Sequence, residues 1–126
     1  KCNLLIQADL INVLLLYKVN IYKIHKYANF LLTGKVLKLT EYAYNNHLIK
    51  PRYIYKLILD NFILDNVDEK KEKEIISILE KFIKSFSIIT NTKISTITII
   101  KFIIFEMTFE KYLLINSNIF ISLLLI

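Results

Sequence analysis

The side chains most often used in metal binding and nucleophilic catalysis are few and far apart in this chain. Cys2 is the only cysteine, and His25 and His47 are the only histidines. A zinc site draws on local pairs of these residue types, and a thiol nucleophile needs a further group that orients its histidine. Neither pattern occurs in the sequence. We therefore expect no metal ligand and no catalytic residue among the three.

Two segments share part of a ligand-binding motif. Gly34 is followed by Lys35, as at the end of a phosphate-binding loop, but Val36 stands where that loop needs Ser or Thr. Residues 65–74 are rich in acids but lack the central glycine of a calcium loop. The chain has no other glycine from which a cofactor loop could be built. We predict a protein without cofactor, metal or enzymatic activity.

Basic and aromatic residues are concentrated in the first half of the chain. Residues 1–59 contain nine Lys and Arg against two acids, whereas residues 60–126 contain eight Lys against nine acids. Seven of the eight tyrosines also lie in residues 1–59. The abundance of Lys and Ile, with one Gly, one Pro and no Trp, is typical of AT-rich coding. Such a bias acts on both halves equally, so the asymmetry of charge indicates a local function.

A tyrosine among lysines is typical of a surface for single-stranded nucleic acid. Lysines contact the phosphates, and the ring stacks on a base. On a helical wheel, Tyr22 and Lys26 point away from the apolar side of their helix, and basic residues near helix N-termini can hold an anion. The candidate surface for an anion or nucleic acid comprises Lys18, Tyr22, Lys23, Lys26, Lys35, Lys38, Lys50 and Arg52. In the alternative interpretation, these lysine stems only cover apolar surface while their heads stay in water.

The apolar residues recur at helical spacing along most of the chain. Asn20 and Asp68 are predicted N-caps, Pro51 is placed for the first turn of a helix, and Gly34 for the C′ position that ends the second helix. Residues 94–107 are rich in β-branched side chains, which favour a strand, but no partner strand is evident. We therefore predict a helix there. The predicted helices span 4–17, 20–32, 35–46, 51–64, 69–86 and 94–107, with two shorter ones at 109–115 and 118–126.

These elements predict one all-α domain over residues 1–126. The architecture is a compact multi-helix bundle of antiparallel helical hairpins, because short connections place consecutive helices side by side. The alternative is a short HEAT-like helical solenoid fragment, since the hairpins have the length of such repeats.

The chain has more apolar side chains than a domain of this size can bury. Hydrophobic residues make up 55 % of it, and the mean hydropathy is +0.45. Residues 112–126 are uncharged but shorter than the ~20 residues of a membrane-spanning helix. We expect a buried terminal helix there in place of a membrane span, and whether it docks on protein or on a membrane surface is left open. A single cysteine fits an intracellular, reducing compartment, cytoplasmic or organellar.

These features indicate a non-enzymatic protein–protein interaction module, or a subunit of a larger assembly such as a ribonucleoprotein. The first alternative is a nucleic-acid-binding domain that uses the basic half. The second is a peripheral membrane protein attached through its C-terminal segment. A homo-oligomer is left open.

Overall fold

The computed structural model describes residues 3–62, 64, 67–88 and 96–124. This part of the chain is helical throughout its regular elements, and the predicted all-α class is confirmed. The helices are α1 (Leu4–Leu16), α2 (Ile21–Leu31), α3 (Gly34–Asn45), α4 (Pro51–Asn61), α5 (Glu69–Ile88) and α6 (Thr96–Leu124). The chain divides into two compact units, Lys1–Thr92 with α1–α5 and Lys93–Ile126 with α6. Each unit is described by itself.

The N-termini of three helices are closed by short polar side chains. Asn3 Oδ1 accepts a hydrogen bond from the Leu5 N–H at 2.8 Å, and Asn20 Oδ1 accepts one from the Tyr22 N–H at 3.0 Å. The carboxylate of Asp68 accepts a bond from the third residue of α5 at 2.8 Å. Each bond satisfies a backbone donor that the helix cannot pair. The predicted caps at Asn20 and Asp68 are confirmed, and Pro51 begins α4 as expected.

The C-termini of α1 and α3 are closed by the same turn. After α1, the Lys18 N–H donates to Leu15 O and the Val19 N–H donates to Leu14 O, both at 3.0 Å. Two equivalent bonds close α3. This Schellman arrangement requires a left-handed residue, which is usually glycine. Here Lys18 (φ 55°) and His47 (φ 54°) take that conformation.

The predicted ends of α2 and α4 are partly wrong. Gly34 does adopt a left-handed conformation (φ 62°), but it is the first residue of α3, because α2 already ends at Leu31 with Leu32 as its C-cap. α4 ends at Asn61, earlier than predicted, because Phe62 is extended with φ −131° and ψ 142°. Periodicity located both helices, whereas their last turns depend on local backbone angles.

The core of the first unit is formed where α1 packs on α4, its most extensive helix contact. α1 also contacts α2, and α3 contacts α2, α4 and α5. A contact between helices as distant in sequence as α1 and α4 is typical of a bundle, since a solenoid stacks its repeats in order. The fully buried apolar side chains in this unit include Ile6, Leu10, Val13, Leu14, Leu31, Ala43, Ile54, Tyr55, Ile58 and Ile75.

The second unit consists of one long helix where three were predicted. Residues 96–107, 109–115 and 118–124 all belong to α6, which runs from Thr96 to Leu124 without interruption. The prediction of breaks is wrong because Asn and Ser near residue 117 weaken a helix only slightly, and no Gly or Pro ends it. Residues 94, 95, 125 and 126 of the predicted helices lie outside the described residues.

Candidate interaction surfaces

Part of the predicted basic surface lies together on one side of α2. Tyr22 is 88 % exposed, and Lys23 and Lys26 are also exposed. Residues three or four positions apart are neighbours on a helix, so Lys26 lies one turn from both Tyr22 and Lys23. His25 is exposed on the same helix. We call Tyr22, Lys23 and Lys26 the α2 face. Binding of nucleic acid there stays a prediction.

The other predicted lysines are exposed but belong to different elements. Lys18 occupies the left-handed turn after α1, and Lys50 is the N-cap residue of α4. Lys35 and Lys38 lie one turn apart on α3, with Lys35 Nζ 3.7 Å from the Glu80 carboxylate of α5. This ion pair is exposed to water on both sides, so it leaves the Lys35 charge accessible.

Arg52 does not belong to an exposed surface, and its predicted place there is wrong. The residue is only 9 % exposed, and its guanidinium holds Asp9, which is 4 % exposed. Arg52 Nε donates to Asp9 Oδ2 at 3.4 Å, and Arg52 Nη2 donates to Asp9 Oδ1 at 3.3 Å. The pair therefore joins α4 to α1 inside the helix contact.

The sequence contains a signal for this buried pair. Asp9 lies three residues after Ile6 and four before Val13, so it falls on the buried side of α1. A carboxylate in such a position needs a cation and hydrogen bonds to offset its lost hydration. Burial raises the pKa of the Asp9 carboxyl above its usual value, while the charge and hydrogen bonds of Arg52, and the charge of Lys50, oppose this rise. Because both residues are at least nine-tenths buried, water has little access to the pair.

A second polar link connects the end of α1 to α4. The Tyr17 hydroxyl donates to Asp60 Oδ1 at 2.7 Å, and the Lys56 ammonium binds the other oxygen of the same carboxylate. Burial, together with the hydrogen bond and the charge of Asp60, raises the pKa of Tyr17 well above its usual value. The phenol donates this hydrogen bond from the C-cap of α1 and so links the end of α1 to α4.

The first unit also has a cleft of about 480 Å³ beside α2. Its lining residues are Lys26, Tyr27, Asn29, Phe30, Thr33, Leu64, Val67 and Asp68. The Asp68 carboxylate already caps α5, and the Thr33 hydroxyl donates to Asn29 O at 2.6 Å. Within the described residues, no group of three or more His, Cys, Asp or Glu could hold a metal ion. The cleft is thus lined by apolar side chains and by two polar side chains, Thr33 and Asp68, that already form hydrogen bonds within the protein.

α6 carries a stripe of exposed apolar side chains along one side. Their exposed fractions are 48 % for Ile100, 53 % for Ile103, 58 % for Ile104, 66 % for Met107, 64 % for Leu114 and 57 % for Ile115. These positions recur three, four and seven residues apart, which places them on one side of a helix. Exposed Lys111 lies among them. We call this set the α6 stripe.

α1 has a smaller set of exposed apolar residues on the side opposite its buried ones. Leu4 is 81 % exposed, and Leu5, Ile11 and Leu15 are between 41 % and 45 % exposed. We call these four residues the α1 stripe. Three of these four residues are less than half exposed, so the α1 stripe is a smaller apolar surface than the α6 stripe.

Comparisons of the chain with known protein families, with curated proteins and with solved structures find no match. Inferences about its function therefore come from its own surfaces. In the described part of the chain, none of the helices is long and apolar enough to cross a membrane.

Proposed function

We propose that this chain is a non-enzymatic protein-binding module and that its docking surface is the α6 stripe. The observation that carries the proposal is the exposure of six large apolar side chains on one side of α6. Isolated exposed apolar residues are ordinary on protein surfaces, but a continuous row of them is not. The stripe is thus a surface that water solvates poorly and a partner would cover.

The size of the stripe determines how much apolar surface a partner must contribute for stable binding. Complete burial of an aliphatic side chain stabilises by about 1.5–3 kcal/mol, and about half of each side chain is still exposed, so the six together supply roughly 5–9 kcal/mol. The loss of translational and rotational freedom on association costs about 4–15 kcal/mol. A partner with an equally apolar face would double the favourable contribution. The stripe therefore suits an apolar helix or groove of another protein.

Affinity capture with stripe variants tests the proposal. The tagged chain would be expressed in its native source as wild type and as Ile104→Lys/Met107→Lys, and captured with and without nuclease. The matched control is Ile11→Lys/Leu15→Lys, which makes the same change on the α1 stripe. Circular dichroism would verify that all three chains are helical. We expect protein partners that resist nuclease and are lost only from the α6 variant.

Partners retained by the α6 variant, or lost equally from both variants, would contradict a docking role for the α6 stripe. Partners that disappear with nuclease treatment would instead point to nucleic acid as the link. Recovery of the wild-type chain with membrane vesicles, abolished by removal of residues 112–126, would support peripheral membrane attachment.

The α2 face favours a second candidate function, the binding of single-stranded nucleic acid. Tyr22 is exposed nearly as fully as a side chain can be, with Lys23 and Lys26 beside it. An apolar ring held in water has no packing role, and a base could stack on it. Buried Arg52 is not part of this surface.

Salt-dependent binding to single-stranded RNA tests this second candidate. Lys23→Glu/Lys26→Glu should weaken binding and reduce the slope of log affinity against log salt by about 1.4, since each phosphate contact contributes about 0.7. Tyr22→Ala should cost about 1–3 kcal/mol at every salt concentration. The control is Lys70→Glu/Lys81→Glu, which changes the same charges on α5. Absence of binding by the wild-type chain at low salt would remove this candidate.

A further inference from the structure

We propose that the cleft beside α2 binds one nucleobase that carries an exocyclic amino group. The base belongs to the single strand held by the α2 face, so this inference rests on the second candidate function and names the bases that the surface selects. Tyr22, Lys23 and Lys26 offer a stacking ring and positive charges, which bind every sequence alike. The cleft supplies the selection that these three residues lack.

The α2 face leads directly to the cleft. Lys26 belongs to the α2 face and also lines the cleft, together with Asn29 and Phe30, which lie one turn further along α2. Tyr22 lies one turn before Lys26. The ring, the ammonium group and the cleft therefore follow one another over about 12 Å of helix. A strand that stacks one base on Tyr22 and places a phosphate on Lys26 brings its next base to the cleft.

The lining of the cleft suits a flat ring with polar edges. Its volume of about 480 Å³ falls within the range of small-molecule sites, roughly 300–1,000 Å³. Phe30 and Val67 are half-buried and Leu64 is buried, so the cleft offers apolar surface to the faces of a ring. A purely apolar ligand would make no use of the charged groups there, and the Asp68 carboxylate would repel a phosphate. A nucleobase matches both kinds of lining.

Asp68 determines which bases fit. Its Oδ1 atom accepts the N–H of Lys71 at 2.8 Å and so caps α5. A carboxylate has about four lone-pair sites, so the cap leaves capacity for a further donor at the cleft. Cytosine, adenine and guanine each carry an amino group that can donate to a carboxylate. Uracil has a carbonyl oxygen on each side of its single N–H, and these oxygens would face the negative charge.

Asn29 can complete the recognition of such a base. Its side chain lies at the same cleft, and an amide both donates and accepts hydrogen bonds. The ring position next to the amino group of cytosine or adenine is an acceptor, to which the amide can donate. The carboxylate and the amide together thus favour cytosine, adenine and guanine over uracil.

Binding of oligo(C) and oligo(U) of equal length to the purified full chain tests the selection. Cytosine and uracil have the same ring size and differ in the amino or carbonyl group at one ring position. At low salt, fluorescence anisotropy should show oligo(C) binding at least about tenfold more tightly, as expected for one hydrogen bond to a charged group. Cytidine monophosphate should bind far more weakly than oligo(C), because it offers no second base to Tyr22. Equal affinity for the two would overturn the path of a strand along α2.

The variant Asp68→Asn tests the role of the carboxylate without removing the cap. Asn and Asp are equally good N-cap residues, so α5 should keep its first turn. The amide can donate to the uracil carbonyl, so the ratio of the two affinities should fall to about one or below. The control is Glu69→Gln, which removes the same charge from an exposed acid that pairs with Lys73 and does not line the cleft. It should change both affinities equally and leave their ratio as in the wild type.

The outcomes separate this inference from the second candidate function. Equal binding of oligo(C) and oligo(U) by the wild type, or a preference for oligo(C) that Asp68→Asn leaves unchanged, would overturn base selection by the cleft. If binding still weakened in Lys23→Glu/Lys26→Glu, the α2 face would stand as a surface that binds single strands without selecting bases. If the wild type bound neither oligomer at low salt, both the inference and the second candidate function would be wrong.

Discussion

Removal of one member of the Asp9–Arg52 pair should destabilise the fold far more than removal of both. Both residues are at least nine-tenths buried, and the two hydrogen bonds between them are 3.3 and 3.4 Å long. Arg52→Met leaves a buried carboxylate without its cation, which typically costs about 3–5 kcal/mol. Domains are stable by only about 5–15 kcal/mol in total, so this variant should be close to unfolding.

The double variant Asp9→Leu/Arg52→Met replaces both charges by apolar side chains of similar length. Such replacements of buried ion pairs are often neutral, or stabilising by about 1–4 kcal/mol, because no desolvated charge remains. Urea unfolding of the wild type, both single variants and the double variant gives the coupling energy as a double-mutant cycle. We expect a coupling of about 3 kcal/mol or more.

The pH dependence of Arg52→Met provides an independent check. The folded-state pKa of Asp9 is already above its usual 3.8, and loss of Arg52 removes the main influence that lowers it. A carboxyl whose pKa is higher when folded stabilises the fold at low pH, and this contribution disappears as pH rises through the folded-state pKa. The deficit of Arg52→Met should therefore shrink as pH falls towards 4. Two results would contradict the dependence of buried Asp9 on Arg52. One is a loss of unfolding free energy below about 1 kcal/mol for Arg52→Met at neutral pH, and the other is a loss that does not change with pH.

Three further predictions concern the ends of α1 and α3. Lys18→Gly and His47→Gly should each raise the free energy of unfolding by about 0.5–1 kcal/mol, because a side chain in the left-handed region is strained and glycine is not; urea unfolding measures the gain. Tyr17→Phe should lower the free energy of unfolding by about 1 kcal/mol, since it removes the hydrogen bond to Asp60. Because the folded-state pKa of Tyr17 is raised, Tyr17 should stabilise the fold fully below about pH 10, the usual pKa of a tyrosine. This contribution should be lost as pH rises further, and ultraviolet titration of the wild type and Tyr17→Phe follows the ionisation.

Each of these variants has a control in the same chain. Lys18→Ala keeps a Cβ at the left-handed position and should leave stability nearly unchanged, so an equal gain from alanine would contradict the strain argument. Tyr42→Phe makes the same chemical change at a half-exposed position on α3. If it costs as much as Tyr17→Phe, the bond to Asp60 does not stabilise the contact of α1 with α4.

Local patterns in the sequence determine much of the first unit. The buried side of α1 follows from apolar residues spaced three and four apart. The caps at Asn20 and Asp68 depend only on hydrogen bonds to the first turn of the helix that each one begins. Tyr22 is exposed because it lies opposite the apolar side of a short helix. Such features depend on neighbours within one or two turns, which periodicity describes well.

Features that depend on distant residues were missed. Arg52 lies 43 positions from Asp9 in the chain. The residues next to Arg52 in the sequence do not indicate that it pairs with a buried carboxylate. The exposed side of α6 was also missed, because that helix is apolar nearly all round and its periodicity favours no side. All four residues Ile104, Phe105, Met107 and Phe109 are large and apolar, yet Ile104 and Met107 are exposed whereas Phe105 and Phe109 are buried.

Site-specific photo-crosslinking in the native source tests the central claim most directly. A photoreactive amino acid would replace Met107 in the α6 stripe, Tyr22 in the α2 face and Ile11 in the α1 stripe, one position at a time. We predict that the reagent at Met107 cross-links to protein and that the reagent at Ile11 does not. Cross-links that form at Tyr22 to nucleic acid while Met107 yields none would contradict the α6 stripe as the surface through which this chain works.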